Sequence, residues 1–524
     1  MKPVELQFYD YSQMFDSMNL KEAISDFYDN GVDDDNLPLL YKSNQEIHMA
    51  VKTPHGLSVR QTVTDIVLQG DTFGSLFASV QVDKIGQDCM QAGLSYMYKE
   101  ILPVGFLGLV DDTVGITEAG FKASQLNSII NVKTAEKTLQ FGPAKCQYMI
   151  VGKNAEMIVQ NNLQVDQWIT EHKENKITGE DDLIESYGGK TDMKKTEEYT
   201  YLGFVISCKG NNLANIKMVK NKSIGVIRKI CNKLKSLNLK QYYFECALIL
   251  MNVMLRGTIL YAADMYYGLK ENELRQIEMI EEGYMRKIFK TTKGCPIASL
   301  YLHLGQTPAR FEILKMRLLY LKYILEQPEE SSIHKMLKLQ LEQPTTGDWA
   351  STCLKDLEYL NVNLKLDEIR KISKTKYTNI LKQRISEVAL SYLVEKQGSK
   401  GSETKYTYLE MAEYLLPFNN QLTIDNKCEM FAIKNRMIDI PTNFSSNNET
   451  KCQCGKPEVM SHIYECDLFN NDEQPTIPYE KIFNGNLNQQ IMVYKKFNQN
   501  MKKREAMKTT SNPCDRLDPL YICS

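Results

Sequence analysis

Residues 105–116, GFLGLVDDTVGI, place two adjacent aspartates, Asp111 and Asp112, between two apolar runs that alternate or nearly alternate. Alternation with a period of two predicts strands, and aspartate is common where a chain reverses, so the stretch predicts a β-hairpin with the acidic pair at its tip. Two interpretations of the pair stay open on the dipeptide alone. It is a solvated turn, or it belongs to a site for a divalent cation, since Mg²⁺ binds several converging carboxylate oxygens. The second interpretation requires a third carboxylate elsewhere.

Length and composition exclude a disordered protein and a small disulfide-rich secreted one. The chain has 524 residues, 43% of them apolar, and this length suggests about three domains with substantial cores. The most apolar stretch, residues 246–255, is too short to cross a bilayer. Thirteen cysteines are mostly scattered singly, which indicates a reducing compartment. We therefore expect an intracellular protein, in the nucleus or the cytoplasm, with no membrane partner.

Charge is distributed unevenly along the chain, although the formal net charge is only −2. Residues 1–46 contain ten Asp or Glu against three Lys, whereas residues 199–244 contain eight Lys and Arg228 with no acidic residue. The net charge argues against a uniformly basic nucleic-acid binder. The basic segment nevertheless predicts a surface that faces phosphate groups, and an ordinary solvated helix face is the alternative.

The order of the predicted elements indicates the fold class. A strand ends near Asp10, an amphipathic helix ends at Asn30 and Gly31, a hairpin turns at Pro-His-Gly, and the acidic hairpin lies between two further helices and is followed by another strand. This order predicts a mixed sheet with helices on one face. From about residue 211 to about residue 415 long helical periodicities predominate. The predicted class is α+β, with a largely helical second part.

Five segments taken together resemble, in order and spacing, the palm motifs of reverse transcriptases, and the similarity is greatest to the polymerases of non-LTR retrotransposons. They are FYDYSQMFDSM, VLQGDTFGSLF, GLVDDTVGI, LQFGPAKCQYMIVG and YTYLGFVIS. Five ordered motifs are more specific than any one of them. The resemblance implies a palm with a mixed antiparallel sheet at residues 1–210, a helical thumb at 211–330, a helical post-polymerase region at 331–440 and a C-terminal region with a zinc-knuckle-like motif at 441–524.

The resemblance supplies the third carboxylate, Asp10, and implies that Asp10, Asp111 and Asp112 are catalytic. They would bind two Mg²⁺ ions that activate a primer 3′-hydroxyl and stabilise the departing pyrophosphate. The implied function is RNA-directed DNA synthesis, and the implied partners are an RNA template, a DNA primer and deoxynucleoside triphosphates. Without metal, the adjacent acids should repel, and one carboxyl group should have a raised pKa.

Several further residues match family positions that bind nucleotide, template or primer. Phe15 matches an aromatic residue beside the 2′ position of the incoming sugar, and a core aromatic residue is the alternative. Gln69 and Gly70 match the start of a motif that guides template and nucleotide. Lys145 matches a lysine near the departing pyrophosphate, with a plain surface lysine as the alternative. The hairpin that grips the primer end is matched at Tyr201, Leu202 and Gly203.

Near the C-terminus, CQCGKPEVMSHIYEC places four metal-binding side chains within fifteen residues, namely Cys452, Cys454, His462 and Cys466. Three thiolates and an imidazole suit a closed tetrahedral Zn²⁺ site, and chance clustering is the alternative. In the family, knuckles of this kind are associated with nucleic-acid binding.

In the family, fingers and usually an endonuclease domain precede the first motif, which here lies at the start of the sequence. The sequence therefore predicts an N-terminally truncated copy, weakly active or inactive alone, because substrate positioning accounts for much of phosphoryl-transfer catalysis. Two alternatives stay open. One is a non-catalytic RNA- or DNA-binding protein derived from such an element, and the other is a metal-dependent phosphodiesterase.

Overall fold

The computed structural model describes residues 2–64, 67, 73–153, 155–158, 163–174, 181–237, 239, 242–291, 297–398, 452, 454, 456, 460–470, 477–478 and 487–511. The chain divides into two compact units, Met1–Asn215 and Ile216–Ser524. The first unit combines strands and helices, and the second is helical over its described residues. The α+β class predicted from the sequence is therefore confirmed.

The first unit contains fifteen described strands and five described α-helices, with a short 3₁₀-helix at Ala155–Met157. In chain order the strands are β1 (Val4–Asp10), β2 (Glu46–Met49), β3 (Lys52–Thr53), β4 (Gly56–Leu57), β5 (Gln61–Thr64), β6 (Tyr96–Tyr98), β7 (Leu102–Val104), β8 (Phe106–Leu109), β9 (Asp112–Glu118), β10 (Gln147–Val151), β11 (Gln164–Glu174), β12 (Asp181–Asp192), β13 (Lys194–Lys195), β14 (Glu198–Tyr201) and β15 (Phe204–Ser207). The helices are α1 (Met14–Ser17), α2 (Leu20–Asp29), α3 (Leu37–Gln45), α4 (Gly74–Gln91) and α5 (Phe121–Glu136).

A five-stranded sheet in the order β13-β10-β1-β9-β8 organises the first unit. The middle strand, β1, is antiparallel to both β9 and β10, while β13 adds a short parallel edge. The remaining strands form separate two-stranded ribbons, among them β14 with β15. The predicted mixed sheet is confirmed.

The two faces of this sheet are covered by different elements, because side chains alternate along each strand. Tyr9 of β1 lies in a core with Phe77 of α4 and Leu126 of α5. On the opposite face, Phe8 clusters with Val114 and with side chains of β14 and β15. The helices thus cover one face, and the β14–β15 ribbon covers the other.

Local predictions succeed where the hydrophobic pattern or the turn chemistry is strong. Helix α2 ends at Asp29, and Gly31 adopts a φ of 83°, as the Asn-Gly stop predicts. Ribbons β2–β5 and β3–β4 form the hairpin predicted around Pro-His-Gly. The sequence did not predict α3, whose apolar residues Leu37, Leu40 and Tyr41 pack against the core only in part. The charged β11–β12 ribbon was missed because Asp, Glu and Lys are poor strand formers.

Helices make up the rest of the described chain, with a π-helical segment at Met251–Leu255 and a 3₁₀-helix at Ala263–Met265. They are α6 (Leu213–Ser236), α7 (Tyr243–Leu250), α8 (Arg256–Ile259), α9 (Glu271–Ile288), α10 (Ile297–Leu304), α11 (Ala309–Glu326), α12 (Ser332–Glu342), α13 (Trp349–Tyr359), α14 (Leu366–Lys371), α15 (Lys374–Gly398), α16 (Met460–Glu465), α17 (Asp467–Asn470) and α18 (Leu487–Ser511). In the part of the chain that the structure describes, no helix is both long enough and apolar enough to cross a membrane.

Helix α11 lies at the centre of the helical core, with Leu318 and Leu321 buried among residues of α13 and α15. Charged side chains are buried there as pairs. Arg317 binds Asp356 at 2.8 Å, and the exposed fractions of their side chains are 3% and 12%. Burial raises the pKa of Asp356 to about 6, although Arg317 opposes the shift. A buried pair of this kind is costly to break, because the remaining charge has no partner.

Candidate active site and metal centre

The strand register places Asp10 directly opposite Asp112. Asp10 is the last residue of β1, Asp112 is the first of β9, and the two are partners in the antiparallel pair. Cross-strand partners project from the same face with their Cβ atoms about 4.5–5.5 Å apart. The sequence prediction that a strand ending at Asp10 lies beside the tip of the acidic hairpin agrees with this register.

Asp111 lies in the tight loop that joins β8 to β9. Because Leu109 pairs with Asp112, the loop consists of residues 110–111 alone. Val110 has a φ of 57°, in the left-handed region that β-branched residues rarely adopt. Such a conformation costs on the order of 1–3 kcal/mol and tends to be retained at functional sites. This strain favours a functional interpretation of the hairpin over a plain solvated turn, for which glycine or asparagine would be the ordinary choice.

Burial raises the pKa of the Asp112 carboxyl group, and the negative charges of Asp111 and Asp10 raise it further, while Lys145 opposes the shift. The expectation that one carboxyl group of the acidic pair has a raised pKa is confirmed in direction. Repulsion contributes, as expected, but burial is the larger cause. The three carboxylates are therefore close enough to influence one another.

The three aspartates are adjacent, but their oxygen atoms are not gathered around one point. Among the described residues, the one group of His, Cys, Asp or Glu side chains arranged to share a metal ion is the C-terminal set described below. The acidic site thus has the donor atoms that a hard cation prefers without the convergence of a closed metal site.

Lys145 forms an ion pair with Asp10, and its Nζ lies 3.1 Å from both carboxylate oxygens. The side chain of Lys145 is 71% exposed, whereas that of Asp10 is 16% exposed. Gly142 holds the intervening turn against β1 by donating its amide to the Asp10 carbonyl at 2.8 Å. A Cβ atom at Gly142 would come within 2.9 Å of Asp10 Oδ2, so a larger residue there would displace the Asp10 carboxylate group. Gly142 lies in one of the five motifs, but no role was predicted for it.

The β14–β15 ribbon lies over the aspartate face of the sheet. Its turn, at Leu202 and Gly203, has positive φ at both residues (48° and 78°), as a tight two-residue hairpin turn requires. The Tyr201 hydroxyl donates to the Asp112 carbonyl at 3.3 Å. Burial, followed by the charge of Asp112, raises the pKa of Tyr201 to about 12. The structure thus brings Tyr201 to the acidic site, while Leu202 and Gly203 form the turn.

Tyr199 is a neighbour of this site that sequence reasoning missed. Its ring stacks on Phe8, with ring centroids 3.9 Å apart. Burial and the nearby charge of Asp10 raise its pKa. The signal was present, because Tyr199 and Tyr201 are two residues apart in a strand and therefore share a face.

The other predicted nucleotide-binding residues have different outcomes. Phe15 lies on α1, partly buried, and packs against the core of the first unit. This contact fits the alternative interpretation, that of a core aromatic residue. Gln69 and Gly70 lie outside the described residues.

At the C-terminus, Cys452, Cys454, His462 and Cys466 form a cluster that could hold a metal ion. Their four ligand atoms all lie within 4.8 Å of one another. Cys454 Sγ lies 3.1 Å from His462 Nε2, and Cys452 Sγ lies 3.8 Å from Cys466 Sγ. A backbone hydrogen bond at Lys456 lowers the pKa of the Cys454 thiol, which favours the thiolate that a metal requires.

Two buried asparagines fix the helix that carries His462. Asn500 of α18 donates to the carbonyls of Ile463 and Tyr464 at 3.1 and 3.0 Å. Asn470 donates to the Cys466 carbonyl at 3.0 Å. The backbone near two of the four ligands is thereby held by side chains outside the cluster, as is common around metal sites.

Helix α6 has one buried, apolar face and one exposed, basic face. Its buried residues include Ile216, Val219, Ile227, Ile230 and Leu234. The basic side chains are all exposed, and they are Lys217, Lys220, Lys222, Arg228, Lys229, Lys233 and Lys235. No acidic residue lies on this helix. The arrangement suits contact with a phosphate backbone.

Comparison of the sequence with models of known protein families found no match, and comparison with curated proteins found none either. At the acidic site the chain offers three adjacent carboxylates, an exposed lysine on one of them and two tyrosines beside them.

Proposed function

We propose that this chain carries the palm and thumb of an RNA-directed DNA polymerase of the non-LTR retrotransposon type. The observation that carries the proposal is the pairing of Asp10 with Asp112 across two strands, with Asp111 in the strained loop beside them. The sequence resemblance requires all three acids at one edge of the sheet, and the register of Asp10 with Asp112 supports that placement. The order of strands around β1 is compatible with a polymerase palm.

Asp10, Asp111 and Asp112 would hold Mg²⁺ in this proposal. Carboxylate oxygens are ligands that Mg²⁺ prefers. The ammonium group of Lys145, itself a cation, already contacts both oxygens of Asp10. Two ions held by these carboxylates would supply activation of the attacking hydroxyl and neutralisation of the charge on the leaving group.

The chain's own residues position the reactants. The reaction is an in-line displacement in which a primer 3′-oxygen bonds to the α-phosphorus of a deoxynucleoside triphosphate and pyrophosphate leaves. The tight loop at residues 110–111 fixes the backbone of Asp111. The hydrogen bond from the Tyr201 hydroxyl to the Asp112 carbonyl holds the start of β9 in place. The ribbon bearing Tyr201 is the element that would hold the primer end.

The other implied partners and cofactors follow from the remaining surfaces. RNA template and DNA primer would contact the basic face of α6 through their phosphates, which makes binding sensitive to salt. The C-terminal cluster would hold structural Zn²⁺. Two sulfurs each about 2.3 Å from a tetrahedral zinc are about 3.8 Å apart, and the Cys452 and Cys466 sulfurs are 3.8 Å apart.

A primer-extension assay tests the proposal. The full chain is incubated with an RNA template, an annealed DNA primer, deoxynucleoside triphosphates and Mg²⁺, and single-nucleotide incorporation is measured under single-turnover conditions. Asp111→Asn should reduce incorporation at least about 100-fold, as expected for removing an electrostatic catalytic group. Asp34→Asn, in an exposed loop, is the matched control and should have no effect.

The same assay separates the two alternatives. Salt-sensitive nucleic-acid binding without Mg²⁺-dependent incorporation would favour a non-catalytic binding protein, for which the basic face of α6 is the supporting observation. Mg²⁺-dependent cleavage of the strands without synthesis would favour a phosphodiesterase. Incorporation that survives Asp111→Asn would remove Asp111 from the mechanism.

A further inference from the structure

We infer that Lys145 is a built-in counter-cation of Asp10, which a divalent metal must displace and which then becomes available to the phosphates of the nucleotide. The inference rests on the proposed function, because it concerns how the acidic site accepts its metal. It assigns Lys145 a role in metal binding in addition to any contact with the leaving group.

The geometry of the pair is that of an occupied cation site. Lys145 Nζ is equidistant from the two oxygens of Asp10, at 3.1 Å each. Among the ion pairs between described residues, Asp10 is the one acid of the three that has a partner. A divalent cation that binds both oxygens of Asp10 needs the position that the ammonium group now holds.

The backbone of Lys145 is anchored close to Asp10 independently of the side chain. Tyr11 and Phe141 form a β-bridge, and the amide of Gly142 donates to the Asp10 carbonyl at 2.8 Å. The amide of Lys145 in turn donates to the Gly142 carbonyl at 2.9 Å. The turn can therefore stay in place while the long, exposed side chain of Lys145 changes its direction.

Charge decides the sequence of events. Before metal binds, the three carboxylates repel one another, and the ammonium group of Lys145, 3.1 Å from both oxygens of Asp10, offsets part of that repulsion. After metal binds, the ammonium group and the metal ion repel each other, so Lys145 leaves Asp10. The ammonium group of Lys145, no longer paired with Asp10, is then available to bind the negatively charged phosphates of a nucleotide.

Metal binding to the full, zinc-loaded chain tests the inference. Mn²⁺ is used as the probe, and its dissociation constant is measured by electron paramagnetic resonance for the wild type and for Lys145→Met. Removal of the competing cation should tighten Mn²⁺ binding about fivefold, the change that an exposed ion pair of ordinary strength produces. A merely structural lysine would instead leave the affinity unchanged or weaken it, and either result overturns the inference.

The chain offers a matched control at the other end of the same pair of strands. Lys2 binds Glu118 at 2.8 Å, and Glu118 is the register partner of Val4, six residues along β1 from Asp10. Six residues of strand span about 20 Å, which exceeds the Debye length of about 8 Å at physiological salt. Lys2→Met removes the same charge and a similar ion pair, and it should leave Mn²⁺ affinity unchanged.

The second measurement is the affinity for nucleotide, which Lys145→Met should change in the opposite direction from the affinity for metal. With Mn²⁺ saturating, Lys145→Met should weaken deoxynucleoside triphosphate binding, although it tightens binding of the metal alone. If Lys145→Met weakens both, the lysine is structural and the inference fails.

The variants Asp10→Asn and Asp111→Asn distinguish failure of the inference about Lys145 from failure of the proposed function. If Mn²⁺ binding does not depend on Asp10 or Asp111, the metal site itself is wrong and both proposals fall. If it depends on both acids but ignores Lys145, the inference about Lys145 alone fails.

Discussion

Replacing Asp112 by asparagine should stabilise the first unit while removing the proposed activity. Burial, and then the charges of Asp111 and Asp10, raise the pKa of this carboxyl group. A raised pKa means that the ionised form is less favourable in the folded state than in the unfolded chain. At neutral pH the wild type therefore carries a free-energy cost that an amide of similar shape does not.

The magnitude is set by the partial exposure of Asp112. A partly screened interaction of this kind is worth at most about 1 kcal/mol. In a unit of about this size, 1 kcal/mol corresponds to about 2–4 °C in melting temperature. We expect Asp112→Asn to raise the melting temperature by about 1–4 °C at pH 7. The gain should shrink as the pH falls below about 4, the ordinary pKa of an aspartate in an unfolded chain, because the wild-type group is then increasingly protonated in both states.

Addition of Mg²⁺ should make the wild type more stable than Asp112→Asn. A ligand at a hundred times its dissociation constant stabilises the folded state by about 2.7 kcal/mol. The wild type should gain that stability on addition of Mg²⁺, whereas Asp112→Asn should gain much less. Melting is followed by circular dichroism across a pH series, with Asp34→Asn as the control.

Either of two results would refute the reasoning about Asp112. One is a lower melting temperature of Asp112→Asn at pH 7 than of the wild type. The other is equal stabilisation of both proteins by Mg²⁺.

Three further predictions concern the helical unit and the C-terminal cluster. Arg317→Met should lower the free energy of unfolding of the second unit by about 3–5 kcal/mol above pH 6, because Asp356 loses its partner. The loss should be smaller near pH 4, since burial raises the pKa of Asp356 to about 6 and the group is neutral in acid. Equal losses at both pH values would contradict this. Cys454→Ser should lower bound zinc from one equivalent per chain, measured by atomic absorption, while Cys246→Ser should not; retention of the full equivalent would exclude Cys454 as a ligand. Lys222→Gln with Lys229→Gln should reduce the slope of log affinity against log salt for an RNA–DNA duplex by about two, whereas Lys338→Gln on α12 should leave the slope unchanged.

Local patterns predicted much of the acidic site. Alternation placed Asp10 at the end of a strand and the acidic pair at the tip of a hairpin, and both placements match the structure. The resemblance then selected Asp10 among many acids in the first 46 residues, a choice that no periodicity could make. The turn chemistry of Asn30 with Gly31 likewise predicted the end of α2.

What the sequence could not predict depends on contacts between distant residues. Lys145 reaches Asp10 across 135 positions, and although the resemblance assigns both residues to one site, no local pattern marks them as an ion pair. The burial that dominates the Asp112 pKa comes from the packing of whole elements, so a carboxylate pair alone suggested repulsion as the main cause. The lack of space at Gly142, where an added Cβ atom would lie 2.9 Å from Asp10 Oδ2, likewise follows only from three-dimensional coordinates.

The central position of β1 has a consequence for synthesis on the ribosome. Val4 pairs with Glu118 on one side and with Val151 on the other, so its second partner lies 147 residues later in the chain (151 minus 4). At about 5–20 residues per second, this strand waits roughly 7–30 s before both neighbours have been made. Until β9 has been made VELQFYD has two bare edges, and from then until β10 has been made it still has one. A nascent-chain binding factor would have its greatest effect on yield in this window, and the yield of folded protein should depend on translation speed between residues 11 and 151 more than on speed in the helical part.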